Sequence, residues 1–590
     1  MKGIKYKFLV LALTLGVFTS CTDYLTEVNP NEQSSDNYWR NLNETGSTLI
    51  GAYSVFMDHN VLGLVEEAAR ADFGWPGYGR PVANPRDIDL AWYNQTYNNS
   101  TQYVEDKWNA SYKGIFRANQ VILGLQGLES DFGGNEKEWH SQMAQARFIR
   151  GILHFWLYNS YNGGSIVLRD KVAKDYTEIA KGLSPASEVL AFVREDLKFA
   201  KENLLTLEDY EGSASLGRAT PGAAATALGM SYLYEGDYVN AIPVFDEVIN
   251  DYGYQLAEPK DMWTATGEFN SESIFEIVYS LAHRPELGQW DEQSLHNRLA
   301  QMTNGYSLPP VWLLHAFSNE KMDAKDDRNY YTDTEGTRRL RNVPLRCSAS
   351  VTVVNDEQTP YYITDNATEN GLYAWNGWGF GGNKKYKNHD TREAGETGAE
   401  GENLNAWRSG KNVVVMRLSE VILMQAECRL LEGGVSNSIA LINKVRARWG
   451  LMLLGPSNGD ASHSYDEVSY DQETLMERLM HHEKPLEMYF EGNQSRWIDL
   501  RRWNETGERF KDLANKVYYA INYEYTKLDD DDNEVEAIKE YALVVDYKPS
   551  GDYKIIDYEY KNPALNFNAT IHDWFPIPQG EINKNPDISK

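Results

Sequence analysis

Residues 225–250 read ATALGMSYLYEGDYVNAIPVFDEVIN, and this stretch decides the fold. Leu228, Gly229, Tyr232, Gly236, Tyr238, Ala241 and Phe245 fall at the spacing of a tetratricopeptide repeat. Gly229 and Ala241 let two antiparallel helices approach closely, Tyr232 and Phe245 fill the seam, and Gly236-Asp237 makes the turn. One such unit cannot bury its faces alone, so it requires neighbours.

Neighbours are present on both sides. A looser pair follows at 413–448, again helix, Gly-Gly turn and helix. Upstream, helical periodicity starts near 45–59 and continues over 103–125 and 138–164, where Gly163-Gly164 is a stop signal. Ser184 and Pro185 open a further helix to about Leu205, with Ser184 as its N-cap and proline in the first turn. These pairs predict a mainly α chain. Between 266 and 412 the character changes. SESIFEIVYS (271–280) and SASVTVV (348–354) read as strands, and the links are rich in Gly, Asn, Asp and aromatics. Irregular stretches of that length are more often functional than idle. The tail beyond 541 is mixed and strand-like.

The N-terminus addresses the chain. Lys2, Lys5 and Lys7 precede an apolar run from Phe8 to Phe18, then Thr19, Ser20 and Cys21. This is a secretory signal peptide of residues 1–20, too short to span a bilayer. Cys21 sits where cleavage falls and predicts lipidation; several acyl chains give lasting anchorage where one does not. A polar leader (21–45) then precedes the helical region 46–265.

Composition narrows the partners. The net charge of −29 over 590 residues disfavours nucleic acid, since a phosphate backbone would be repelled. After Cys21 only Cys347 and Cys428 remain, read as two buried thiols rather than a disulfide framework or metal cluster. Aromatics are abundant: 16 Trp, 38 Tyr and 19 Phe, a composition suited to sugar rings and wet interfaces.

Seven ordered stretches carry a resemblance: CTDYL after the signal, 146–164, 217–238, 416–427, 442–450, EMYFEGNQSRWIDLRRW (487–503) and FPIPQGEINKNP (575–586). Over essentially its whole length the chain resembles the SusD/RagB outer-membrane lipoproteins. Pro485 departs from that pattern and predicts a kink at a helix start. The resemblance implies a scaffold of about four tetratricopeptide-like helix pairs, with an irregular, partly β, ligand-binding subdomain at 266–412 and a C-terminal helical region and tail at 413–590. It also implies a cell-surface protein that captures oligo- or polysaccharide and acts as the lid of a SusC-like TonB-dependent transporter. A RagB-like peptide binder is the alternative. Glu491, Arg496 and Asp499 read as a structural ion-pair set.

Sugar binding needs flat apolar faces with short polar groups beside them. Residues 71–100 offer Trp75, Tyr78, Trp92 and Tyr93 among Asp72, Arg80 and Asn98; residues 371–386 offer Trp375 and Trp378 in a glycine run. Trp290 and Tyr306, from the inserted region, are further candidates. Trp75 and Trp92 have an equally weighted reading as tryptophans tucked into the helices beneath, whereas Trp312, Trp139, Trp156, Trp449 and Trp503 read as packing.

Catalysis finds no comparable signal. A glycoside hydrolase needs two placed carboxylates, and 86 acidic residues make pairs uninformative. His482-Glu483 is not continued as a zinc motif, and no nucleophile elbow occurs. Asp529, Asp531, Asn533 and Glu540 loosely follow a calcium loop, but Glu534 replaces the glycine its turn needs. A solvated acidic hairpin is the better reading, and no cofactor is expected.

Overall fold

A computed structural model describes residues 39–588, apart from 78, 83–88, 130–133, 214, 285–286, 288–293, 357–379, 388–389, 391–408 and 529–532. The predicted pair folds as read. Helix α5 (Pro221–Leu233) starts at Thr220, whose hydroxyl accepts from the Ala223 amide, with Pro221 at its first position. Gly236 turns the chain at φ +78°, and Asp237 caps α6 (Tyr238–Asn250). A Cβ on Gly229 would stand 2.4 Å from the Phe245 ring, so only glycine admits this approach.

The other scaffold helices are α1 (Leu42–Tyr53), α2 (Gln102–Gly127), α3 (Glu136–Ser160), α4 (Ala186–Asn203), α7 (Leu418–Leu431) and α8 (Val435–Arg448). From α2 onward each packs on the next, and α6 packs directly on α7 although more than 160 residues separate them in sequence. The inserted region therefore leaves the stack and returns without breaking it. Strands β1 (Ser273–Ile277) and β2 (Val413–Arg417) pair antiparallel across its two ends, from Ser273↔Arg417 to Ile277↔Val413.

The longest strands lie towards the C-terminus. β3 (Tyr518–Leu528), β4 (Glu534–Val545) and β5 (Tyr553–Ile556) form a sheet in the order β4-β3-β5. β3 and β4 pair antiparallel from Leu528↔Glu534, the hairpin that was expected, while Asp529 and Asp531 lie outside the described residues. The base of the sheet packs Ala520 and Ile556 on Val311.

Local departures have physical causes. Residues 345–350 are helical, begun by Pro344, and only Val351–Thr352 is strand. Ser184 does not cap α4; its amide donates to the Ile166 carbonyl, leaving Pro185 at the cap. Order begins before residue 45, because Trp39 packs on Gly124 and its indole donates to Thr48. Pro485 produces the expected irregularity as a π turn, Leu479–Glu483, ahead of a short helix Lys484–Glu487.

Candidate ligand-binding face

The loop at 71–100 is held down from beneath. Asp72 is buried and accepts from Arg496 at 2.7 and 2.8 Å and from Arg509 at 2.7 Å. Trp75-Pro76 pairs antiparallel with Ser307-Leu308, and the Trp75 indole N–H donates to the Gly79 carbonyl at 2.8 Å. Its ring meets Tyr93 and Tyr558 edge-on. Trp92 stacks on Tyr97 and lies edge-on to Tyr103 and Phe575.

These contacts correct the first set of candidates. Trp75 is 3% exposed and Trp92 1%, so neither offers a face to a sugar. Their rings close the seam between the loop and the C-terminal tail, which is where an aromatic gains most from leaving water. Asp72 orients arginines, not hydroxyls. Tyr306 is buried, and its carbonyl accepts from the Gly77 amide. Asn98 is exposed, but its side chain accepts from the Ser100 amide in a turn whose neighbour Asn99 docks on Gln579. Tyr78, Trp290, Trp375 and Trp378, like the lipidation candidate Cys21, lie outside the described residues.

Arg80 marks where the two predicted loops meet. Its guanidinium pairs with Glu559 and donates to the Pro309 carbonyl at 3.0 Å. It lies 5.2 Å over Trp75 and 5.1 Å over Phe380, the first described residue of the glycine-rich stretch 371–386. Arg80 is thus a clamp joining the first loop, the second loop and the tail. Burial raises the Glu559 carboxyl, a rise that Arg80 opposes. Val82, next along the loop, is 76% exposed, so this join reaches the surface.

Beneath the face lies a charge cluster that the sequence hardly showed. Arg417, at the end of β2, donates to Glu272 at 2.7 Å, to Glu487 at 2.6 Å and to Glu491 at 2.6 Å. Arg448 reaches Glu272 at 2.7 Å, and Arg346 reaches Glu320 at 2.8 Å and Glu487 at 3.3 Å. Arg446 pairs with Glu483 and Lys385 with Glu491. Glu491, Arg496 and Asp499 are all ion-paired, as read, but not as one set. Glu491 belongs to Arg417, Arg496 to Asp72, and Asp499 to Lys484 and Arg502. Cys347 and Cys428 are buried and free.

Comparison with known proteins places this architecture. The SusD family model matches residues 271–590, more than half of the chain. The chain belongs to the SusD family. A second SusD-like family, described as starch-binding and associating with the outer membrane, matches residues 81–233. Two SusD-like proteins of Formosa agariphila are similar: P25, 21% identical with 75% of this chain and 81% of that protein covered, and P38, 24% identical with 86% and 92% covered. Among solved structures, a SusD superfamily protein of Bacteroides vulgatus shares the fold at a TM-score of 0.66 and 21% identity, covering 93% of this chain and 98% of its own. A laminarin-binding SusD-like protein aligns at 0.58 and 20% identity, covering 93% and 99%. The helical stack, its insertion and its tail are therefore the SusD-like arrangement.

Proposed function

We propose that this protein is a cell-surface lipoprotein, anchored through Cys21, that binds poly- or oligosaccharide without bond-making chemistry and passes it to a SusC-like TonB-dependent transporter as its lid. The observation that carries the glycan reading is the match of residues 81–233 to a family described as starch-binding, alongside the SusD family match. The laminarin-binding structural neighbour supports the same ligand class. The signal peptide followed by Ser20-Cys21 supports the anchor.

With Trp75 and Trp92 spent on packing, the stacking role passes to Trp375 and Trp378, which precede Phe380 in the sequence. Two rings contributing roughly 1–3 kcal/mol each, as flat ligands gain on aromatic platforms, would make micromolar capture attainable with a few hydrogen bonds. Isothermal titration against neutral, acidic and host glycans and against peptides tests this reading. Glycan binding lost on substituting Trp375 and Trp378 with alanine supports it. Peptide binding alone replaces it with the RagB-like reading, and reducing-sugar release by the purified chain would restore a hydrolase.

A further inference from the structure

A hollow of about 560 Å³ opens beside Arg509, one of the two arginines that hold Asp72. It is walled by the helix Val311–Ser318, the π turn, the helix Thr506–Asn515 and the start of β3. The charged and titratable side chains that line it are Arg509, Lys516, His315, His481, His482 and the single carboxylate Asp546. Trp312 and Tyr518 supply aromatic wall, with the Arg509 guanidinium 4.3 Å over the Trp312 ring. Beside this lining, Asp512 lies 3.6 Å from Arg509 and 3.1 Å from Lys516, and Glu320 lies 3.3 Å from His482.

Two further observations point to an anionic occupant. Asp72 is the one buried carboxylate shared by Arg496 and Arg509, the exposed Asp512 lying 3.6 Å from Arg509 on its other side. Arg509 is 5% exposed, yet its Nη2 is buried with no hydrogen-bond partner among the described residues; His481 Nδ1 is in the same state. A buried charged donor left without a partner is costly, and an oxyanion would satisfy it. The local field agrees: burial, then Arg509 and Arg496, bring the His481 imidazole down to about 4. A second hollow, of 1010 Å³ between α2, α3 and α4, shows no such excess, since its lining cations Arg147, Arg150, Lys171 and Lys174 face Glu129, Asp170, Glu178 and Glu195.

We infer that the hollow around Arg509 and Lys516 binds an oxyanion, the carboxylate or sulfate ester of an acidic saccharide. Its saccharide source rests on the glycan reading above; the oxyanion site itself does not. His481 and His482 both reach the wall from the π turn. Asp546, half-paired with His315 at 3.7 Å, is the element of the lining that opposes an anion.

The test titrates the full-length chain in neutral detergent with inorganic sulfate, oligogalacturonate, a sulfated galactan oligosaccharide and neutral laminarin oligosaccharide. Acidic oligosaccharide should bind, weaken as salt rises through the range in which the Debye length falls from about 10 to about 3 Å, and weaken about tenfold in Lys516→Ala. Asp546→Asn should tighten it roughly threefold by removing like charge, a gain no purely structural role would produce. Laminarin binding should be unchanged in both variants. Acidic binding indifferent to both variants, or weakened by Asp546→Asn, overturns the proposal. Neutral binding without sulfate or acidic binding overturns it too, while the glycan reading stands. Sulfate binding that follows the variants, with no saccharide bound, supports the oxyanion site and overturns the saccharide as its source.

Discussion

Two regions of the molecule keep arginine out of water, and they do so in opposite ways. Around Arg417, the cations Arg346, Lys385, Arg417, Arg446 and Arg448 meet Glu272, Glu320, Glu483, Glu487 and Glu491. These five buried cations meet five carboxylates, Arg478 adds a contact to Glu483 at 2.9 Å, and Trp449 adds an N–H to Glu487 at 2.7 Å. Around Arg509, one buried carboxylate serves two arginines and a guanidinium nitrogen is left over. The first arrangement finds a carboxylate for every cation and ties β2, α8 and the π turn into one body, although Arg448 Nε, like Arg509 Nη2, is buried with no hydrogen-bond partner among the described residues. The second is incomplete without something from outside. Buried charge by itself says little about function; whether its partners are all internal says much.

The largest effect should come from breaking the closed region. Arg417→Met leaves the buried Glu487 and Glu491 short of their partner, a loss of about 3–5 kcal/mol. Chemical denaturation should show it as a lower midpoint or as failure to fold; an unchanged midpoint would mean the cluster is not closed. Asp72→Asn comes next, at roughly 3 kcal/mol, since both Arg496 and Arg509 lose their counter-charge.

Acid should expose the same contrast. Burial pushes Glu320 up, but Arg346 outweighs it and holds the carboxyl at about 2, against an ordinary 4.5. Its stability is present above about 4.5 and is lost as pH falls towards 2. His481, neutral in the fold, loses its contribution as pH falls from 6.5 to about 4, the same direction. Glu420 opposes them: burial raises it to about 7, so its contribution is full below 4.5 and disappears as pH rises through 7. Thermal denaturation should therefore be nearly level near neutrality and fall steeply below about 4.5. A midpoint that rises on acidification would contradict the pairing around Arg346.

The scaffold was legible because helix packing is periodic. Gly229 and Phe245 are four turns of sequence apart, yet their spacing alone foretold the contact that a Cβ would violate. Gly229→Val should accordingly cost about 1–3 kcal/mol by overpacking the seam. The acidic hairpin and the kink at Pro485 were legible for similar local reasons. Loop tryptophans were not. Nothing in ADFGWPGYGR shows that Trp75 will turn inward against Tyr93 and Tyr558, because Tyr558 comes from nearly 500 residues away. The hollow was invisible for the same reason: His315, His481, Arg509 and Asp546 share no motif and meet only through tertiary packing. The one signal available was Pro485, whose missing N–H marked the π turn.

The smallest effect is the one that separates the two regions best. Lys516 is 44% exposed on its side chain and meets Asp512 at 3.1 Å, itself 52% exposed. Solvent screens such a pair, so Lys516→Ala should change stability by no more than about 0.5 kcal/mol. If the charge belongs to an occupant rather than to the fold, its removal will leave the denaturation midpoint alone and still reduce sulfate binding. Arg417 should show the converse, with stability lost before any binding can be measured. A Lys516→Ala chain that unfolds early would make the hollow a second closed cluster, with Asp512 as the partner that matters, and the distinction between the two regions would be one of burial alone.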